Sequence, residues 1–94
     1  MRSHPDAVLR LHVRNHPGVM SHVCGLFARR AFNVEGILCV PLGDGERSAV
    51  LLLVNDDERL EQMTRQLRKL EDVLDIERAD DARPAFAAVA RHLE

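Results

Sequence analysis

The spacing of hydrophobic positions changes several times along the chain, and each change predicts a new element. Residues 7–14 alternate. Ala7, Leu9, Leu11 and Val13 point one way and Val8, Arg10, His12 and Arg14 the other, which predicts a half-buried strand. Asn15-His16-Pro17-Gly18 breaks the alternation, and Pro17 suits the first turn of a helix because its missing N–H is not needed there. From there Val19, Met20, Val23, Leu26 and Phe27 share one helical face, and Arg29 and Arg30 close the last turn, where cations favour the helix dipole. Residues 33–42 predict a second strand, with Val34, Leu38 and Val40 on one side and Ile37 and Cys39 on the other. Gly43-Asp44-Gly45-Glu46 predicts a turn.

Ala49 to Val54 is continuously apolar and rich in β-branched residues, as a central strand would be. Asn55 then reads as a helix N-cap, with Glu58 three residues on in the manner of a capping box. The helix behind it is predicted to bury Leu60, Met63, Leu67 and Leu70. Its acids (Asp56, Asp57, Glu58) come early and its bases (Arg65, Arg68, Lys69) late. Residues 73–78 predict a fourth strand. A polar linker, Asp80-Asp81-Ala82-Arg83, leads past Pro84 to an amphipathic stripe of Phe86, Val89, Ala90 and Leu93, read as a short helix. That stripe has to dock, either on the open face of the sheet or on a partner protein.

The order strand–helix–strand–strand–helix–strand, with right-handed crossovers, predicts an α+β fold. It is the ferredoxin-like βαββαβ plan, a four-stranded antiparallel sheet with two helices on one face. Residues 1–6 read as a polar N-terminal arm, 7–79 as the domain, and 80–94 as the linker and C-terminal helix. At 94 residues the chain makes one domain, short enough that a partner or a second copy is expected to help hold it.

Composition narrows the function classes. With 46% hydrophobic and 30% charged residues and a net charge of −2, the chain has no electrostatic case for nucleic acid or an anionic membrane. Aromatic residues are 3% and none falls on a predicted central strand, so the stacking platform of an RNA-recognition sheet is missing. No apolar signal region follows the N-terminal arm, and the longest apolar run is too short to span a bilayer, so a cytoplasmic protein is expected. Cys24 and Cys39 make neither a disulfide framework nor a CxxC pair, and both read as packed, inert thiols. His12, His16 and His22 fall on a strand, a loop and a helix, with no carboxylate at ligand spacing, so no metal is expected. No nucleophile, base and oxyanion donor come together, and enzyme activity in this chain is not expected.

One loop has the form of a ligand site. Asn15 to Met20 turns from strand into helix with a glycine at the helix mouth. The first backbone N–H groups there are unpaired and the dipole is positive, which favours a carboxylate. Gly18 permits close approach of the backbone. The same residues could also do no more than close a turn.

The run 13–20, Val-Arg-Asn-His-Pro-Gly-Val-Met, followed by Val23-Cys24-Gly25-Leu26-Phe27-Ala28-Arg29-Arg30-Ala31-Phe32-Asn33-Val34-Glu35-Gly36-Ile37, closely resembles acetolactate synthase small subunits. Residues 51–57, 60–63 and 69–73 extend the resemblance over nearly all of the chain. It implies an ACT domain, a version of the ferredoxin-like plan in which two copies pair edge to edge and bind an amino acid at the joint. The implied effector is valine. The implied effector-binding residues are Asn15, Gly18, Val19 and Met20 from one copy and Asn33 and Val34 from the other, with His16 and Pro17 secondary.

The resemblance also implies a non-catalytic role. The chain would form a homodimer, activate a large catalytic subunit and confer feedback inhibition by valine in branched-chain amino-acid synthesis. Thiamine diphosphate, magnesium and FAD would belong to the large subunit, and no cofactor to this chain. Many members carry a second domain after the ACT domain, and this sequence looks like the short isozyme form. Two alternatives remain open: an ACT module regulating a different enzyme or a transcription factor, and a small hydrolase of the acylphosphatase type. The latter would use Arg14 but lacks a glycine-rich phosphate cradle.

Overall fold

The structure, a computed structural model, describes residues 6–94; the N-terminal arm read at 1–6 falls almost wholly outside them. Eight elements follow in order: β1 (Asp6–Arg14), α1 (Val19–Arg29), β2 (Val34–Leu42), β3 (Arg47–Asn55), α2 (Leu60–Arg68), β4 (Val73–Arg78), a 3-10 turn (Asp80–Ala82) and α3 (Arg83–Leu93). The four strands form one antiparallel sheet in the order β2-β3-β1-β4, so the α+β, ferredoxin-like reading holds. β1 and β3, the most apolar strands, lie in the middle, where both edges are paired.

The inner face of the sheet carries the core. Leu9, Leu11 and Val13 of β1, Val50, Leu52 and Val54 of β3 and Ile76 of β4 pack against Val23 and Phe27 of α1 and Leu60, Met63 and Leu67 of α2. Phe32, just past α1, closes the cluster edge-on to Phe27 and lies beneath the Arg59 guanidinium. The helical spacing read from residues 19–27 and 60–67 is therefore the spacing of buried positions.

Three local expectations are corrected. Asn55 does not cap α2: it ends β3 opposite Asp6, and α2 starts only at Leu60. Asp57 takes the entry role, its Oδ1 accepting the Arg59 N–H at 2.8 Å. In β2 a bulge at Glu35 lets Val34 pair with Val54 and Gly36 with Leu53, so the facing of the strand reverses after Val34. Val34 therefore shares the inner face with Ile37 and Cys39, while Gly36, Leu38 and Val40 face out. Finally, Cys39 is exposed on the edge strand β2 rather than packed, and Cys24 is only half-buried.

The stripe at 86–93 is helical and docks on the outer face of the sheet. A Cβ on Gly36 would lie 2.9 Å from the Phe86 ring and 3.5 Å from Leu53, so only glycine lets the ring sit this close to β2. The segment before α3 is not a slack linker. Asp80 Oδ1 accepts the Val8 N–H at 3.0 Å, and Ala79 N donates to the Val8 carbonyl at 2.8 Å, which extends the β1–β4 pairing by one step. Arg78 holds the same place by bonding Asp80 (2.9 Å) and Asp56 (2.7 Å).

Candidate functional site

β1 delivers the chain to a corner where three connections meet: the loop 15–18, the β2–β3 turn and the α2–β4 turn. Asn15 is fixed twice, its backbone N–H donating to the Glu46 carbonyl (2.9 Å) and its Nδ2 to the Gly45 carbonyl (2.7 Å). Arg14 is fixed to the other side, its N–H donating to the Asp72 carbonyl (2.9 Å) and its guanidinium to the Glu71 carbonyl (3.0 Å). His16 lies with Nε2 2.7 Å from Asp72 Oδ2 and Nδ1 2.7 Å from the Pro17 carbonyl. These contacts raise its pKa above the ordinary 6.5, the Pro17 carbonyl most and the Asp72 carboxylate next, against the nearby Arg14 charge.

Gly18 caps α1 with φ 90°, a left-handed conformation that disfavours any side chain. A Cβ there would meet nothing within 4 Å, so the backbone angle, and not crowding, calls for glycine. The first bond of the helix runs from His22 N to Gly18 O at 3.1 Å, and Val19 N turns back toward the His16 carbonyl at 3.4 Å. The amides of Met20 and Ser21 precede that first helical bond, and no acidic side chain lies in the first turn. Positive dipole, amides ahead of the first helical bond and open space above Gly18 together make a place for a small carboxylate.

The other expected residues behave differently. Val19 is buried in the core, and Met20 packs half-buried against the same cluster. Asn33 is exposed and Val34 half-buried, both at the far end of the sheet. The register makes the separation plain. Leu42 and Arg14 both lie beside Arg47, whereas Val34 lies beside Val54, seven residues or about 23 Å along β3. One chain thus brings together Asn15 to Met20, and it keeps Asn33 and Val34 away from them.

Asp72, Gly45 and Glu46 were not among the expected site residues, although they hold the loop. Gly45 and Glu46 act through backbone carbonyls, which carry no residue signal, and Asp72 sits in a turn outside every periodic pattern. A second hollow, of about 500 Å³, lies between α3 and the outer face, lined by Gly36, Leu38, Leu53, Phe86, Val89 and Leu93 among others. Among the described residues no three His, Cys, Asp or Glu side chains gather as a metal site, and no helix is long and apolar enough to cross a membrane.

Comparison with known proteins decides the family. The family model described as "AHAS small subunit-like ACT domain" matches residues 9–75. The chain is 59% identical over 88 residues to the acetolactate synthase isozyme 1 small subunit of Escherichia coli K12, covering 94% of this chain and 92% of that one. The chain belongs to the acetolactate synthase small-subunit family. A Mycobacterium bovis acetolactate synthase small subunit is 38% identical over 81 residues, spanning 85% of this chain but 46% of the relative.

Among solved structures, the acetolactate synthase small subunit of Thermotoga maritima superposes with a TM-score of 0.71 at 32% identity, over 79% of this chain and 47% of that one. The chain therefore spans about half the length of that solved relative. An ACT domain of a GTP pyrophosphokinase from Chlorobium tepidum superposes at 0.62 with 21% identity, which shows the fold alone. Membership in this small-subunit family also removes the hydrolase alternative, whose one arginine, Arg14, is engaged with the Glu71 carbonyl.

Proposed function

We propose that this chain is the non-catalytic regulatory subunit of an acetolactate synthase. It stimulates a large, thiamine-diphosphate-dependent catalytic subunit in the cytoplasm and reports valine to it. The magnesium and FAD of the reaction are assigned to that large subunit. The observation that supports the reading best is the division of the candidate site between the two ends of one sheet in which β2 is an edge strand. If β2 of one copy pairs antiparallel with β2 of a second, the ends exchange: Asn33 and Val34 of one copy come toward the loop 15–20 of the other. Two such sites then form per dimer, each with helix amides for the carboxylate, Asn33 for the polar end and Val34 and Met20 for the isopropyl group. Pairing also gives the edge strand β2 a neighbour on its outer side, where Ile37 and Val40 are 42% and 56% exposed. Copurification with a large thiamine-dependent enzyme tests the partner.

The test is acetolactate formation by the reconstituted enzyme across a valine titration. Gly18→Asp puts a negative side chain where the carboxylate is to sit, with some backbone strain at φ 90°, and Asn33→Ala, which carries no such strain, removes a polar contact from the opposite half-site. Losing a hydrogen bond to a charged ligand costs about 1.5–3 kcal/mol, so inhibition is expected to weaken roughly ten- to a hundredfold while stimulation persists. Asn15→Ala is the less clean probe because Asn15 also ties down the β2–β3 turn. Full valine inhibition in both Gly18→Asp and Asn33→Ala would refute the site.

A further inference from the structure

The His16–Asp72 contact lies outside the core, caps no helix, and joins the candidate effector loop to the α2–β4 turn. We propose that Asp72 is a positioning residue for the effector loop, acting through His16 as a proton-dependent clamp that holds the mouth of α1 ready for a carboxylate. This inference rests on the effector reading above and extends it to a residue on another element.

The chemistry follows from the two ring nitrogens. Nδ1 faces a carbonyl oxygen and Nε2 a carboxylate oxygen, each at 2.7 Å. Both are acceptors. A neutral imidazole has one N–H and can serve only one of them, whereas the imidazolium serves both. The doubly bonded geometry is therefore that of the protonated ring. Its Nδ1 bond fixes the Pro17 carbonyl immediately before Gly18, and its Nε2 bond fixes the whole loop to Asp72. Asp72 is itself well placed to anchor, with a side chain only 16% exposed and a backbone carbonyl that accepts the Arg14 N–H at 2.9 Å.

The charged groups near His16 include Glu46, whose carbonyl accepts the Asn15 N–H on the β2–β3 turn, and Arg47, which pairs with Arg14 at the start of β3. Arg14 of β1 opposes protonation and Asp72 favours it. His22 of α1 and Lys69 and Glu71 beside the α2–β4 turn line the hollow that Asp72 shares with Val19. The raised pKa of His16 gives the sign. The clamp is complete at acid pH, where the ring is charged, and is lost as pH rises through the titration of the folded form. Losing the proton gives up one of the two ring bonds, so the loop is held less tightly, and it also removes a positive charge next to the carboxylate site.

The test uses the full-length protein, alone and with its catalytic subunit, in wild-type, Asp72→Asn and His16→Gln forms. The His16 ring titration by NMR is read first because it needs no ligand. It is expected to lie above a free histidine in the wild type and to fall in Asp72→Asn; an unchanged titration overturns the clamp. Valine affinity is then measured by calorimetry between about pH 5.5 and 8. It is expected to weaken by about fivefold with rising pH in the wild type, the scale of one partly exposed charged pair, and to stay nearly level in both variants. Asp72→Glu, which keeps the charge, is expected to restore part of the slope. Valine binding with the same slope in all forms overturns the positioning role and leaves the effector reading intact. A shifted His16 titration with no valine binding at any pH overturns the effector reading and with it the clamp's role in binding.

Discussion

The two faces of the sheet are built on different principles. The inner face is sealed: Leu11, Leu52 and Leu67 have no accessible surface, and Leu9, Phe27 and Met63 almost none. The outer face is held at points. α3 has no buried residue of its own, Leu93 is 81% exposed, and the Phe86 ring sits directly over Gly36. Across β1 and β4 that face turns polar, with Arg10 bonded to Glu77 and His12 beside Asp75. A continuous apolar interior is cooperative, so any hole in it weakens the whole domain. A face of separate contacts can loosen one part at a time. This makes the inner face the scaffold and the outer face the part able to change its cover.

The comparison is tested most severely from the inside. Leu52→Ala, at the centre of β3, opens a cavity that Leu9, Leu11 and the two inner helices cannot fill, and is expected to cost about 2–5 kcal/mol. Chemical denaturation should show one transition at lower denaturant with an unchanged slope. A second transition, or a loss below about 1 kcal/mol, would mean the inner face is less unified than its burial implies.

The next effect comes from the helix anchor. Phe86→Ala removes a half-buried ring from the outer face and is expected to cost about 1–2 kcal/mol. Amide exchange should accelerate throughout α3 and stay nearly unchanged in β1 and β3. Gly36→Val attacks the same contact from the strand side, because the added side chain occupies the ring's place. If either substitution destabilises the central strands as much as α3, the two faces are one cooperative unit and the contrast fails.

The same contrast explains what could be read from the sequence. β1 and the inner faces of α1 and α2 were legible because burial on one side leaves an uninterrupted period, as in Leu9, Leu11 and Val13; β4 was legible as a strand, although a bulge at Leu74 puts Val73 and Ile76 opposite Val13 and Leu11. β2 was legible as a strand but not in its facing, because one bulge at Glu35 reverses every later side chain and Gly36 carries no side chain to reveal it. The cap misread at Asn55 has a similar cause: Asn55 and Asp57 are both good capping residues two positions apart, and only the length of β3 chooses between them. In the candidate site, the helix mouth at Gly18 was visible as a motif. Its supports were not, because Gly45 and Glu46 act through their carbonyls and Asp72 meets His16 only through the fold.

The smallest expected effect concerns the point where the two faces are tied. The Asp80 carboxylate is held below its usual range of 3.8, first by the Arg78 hydrogen bond and then by the Val8 N–H, against partial burial. A depressed folded pKa means the carboxylate contributes stability above about pH 4, which is lost as pH falls through the folded value. Its side chain is 36% exposed, so solvent screens much of this. Asp80→Asn keeps an oxygen for the Val8 N–H but drops the charge that Arg78 and Arg83 share. The expected loss at neutral pH is about 0.5 kcal/mol, with a shallower fall in stability on acidification below about pH 4 than in the wild type. Thermal melts from about pH 3 to 7 read both quantities. Parallel curves for the two proteins would show that the Val8 bond alone carries the tie, and that the Arg78–Asp80 charge pair on this edge of the outer face adds nothing to stability.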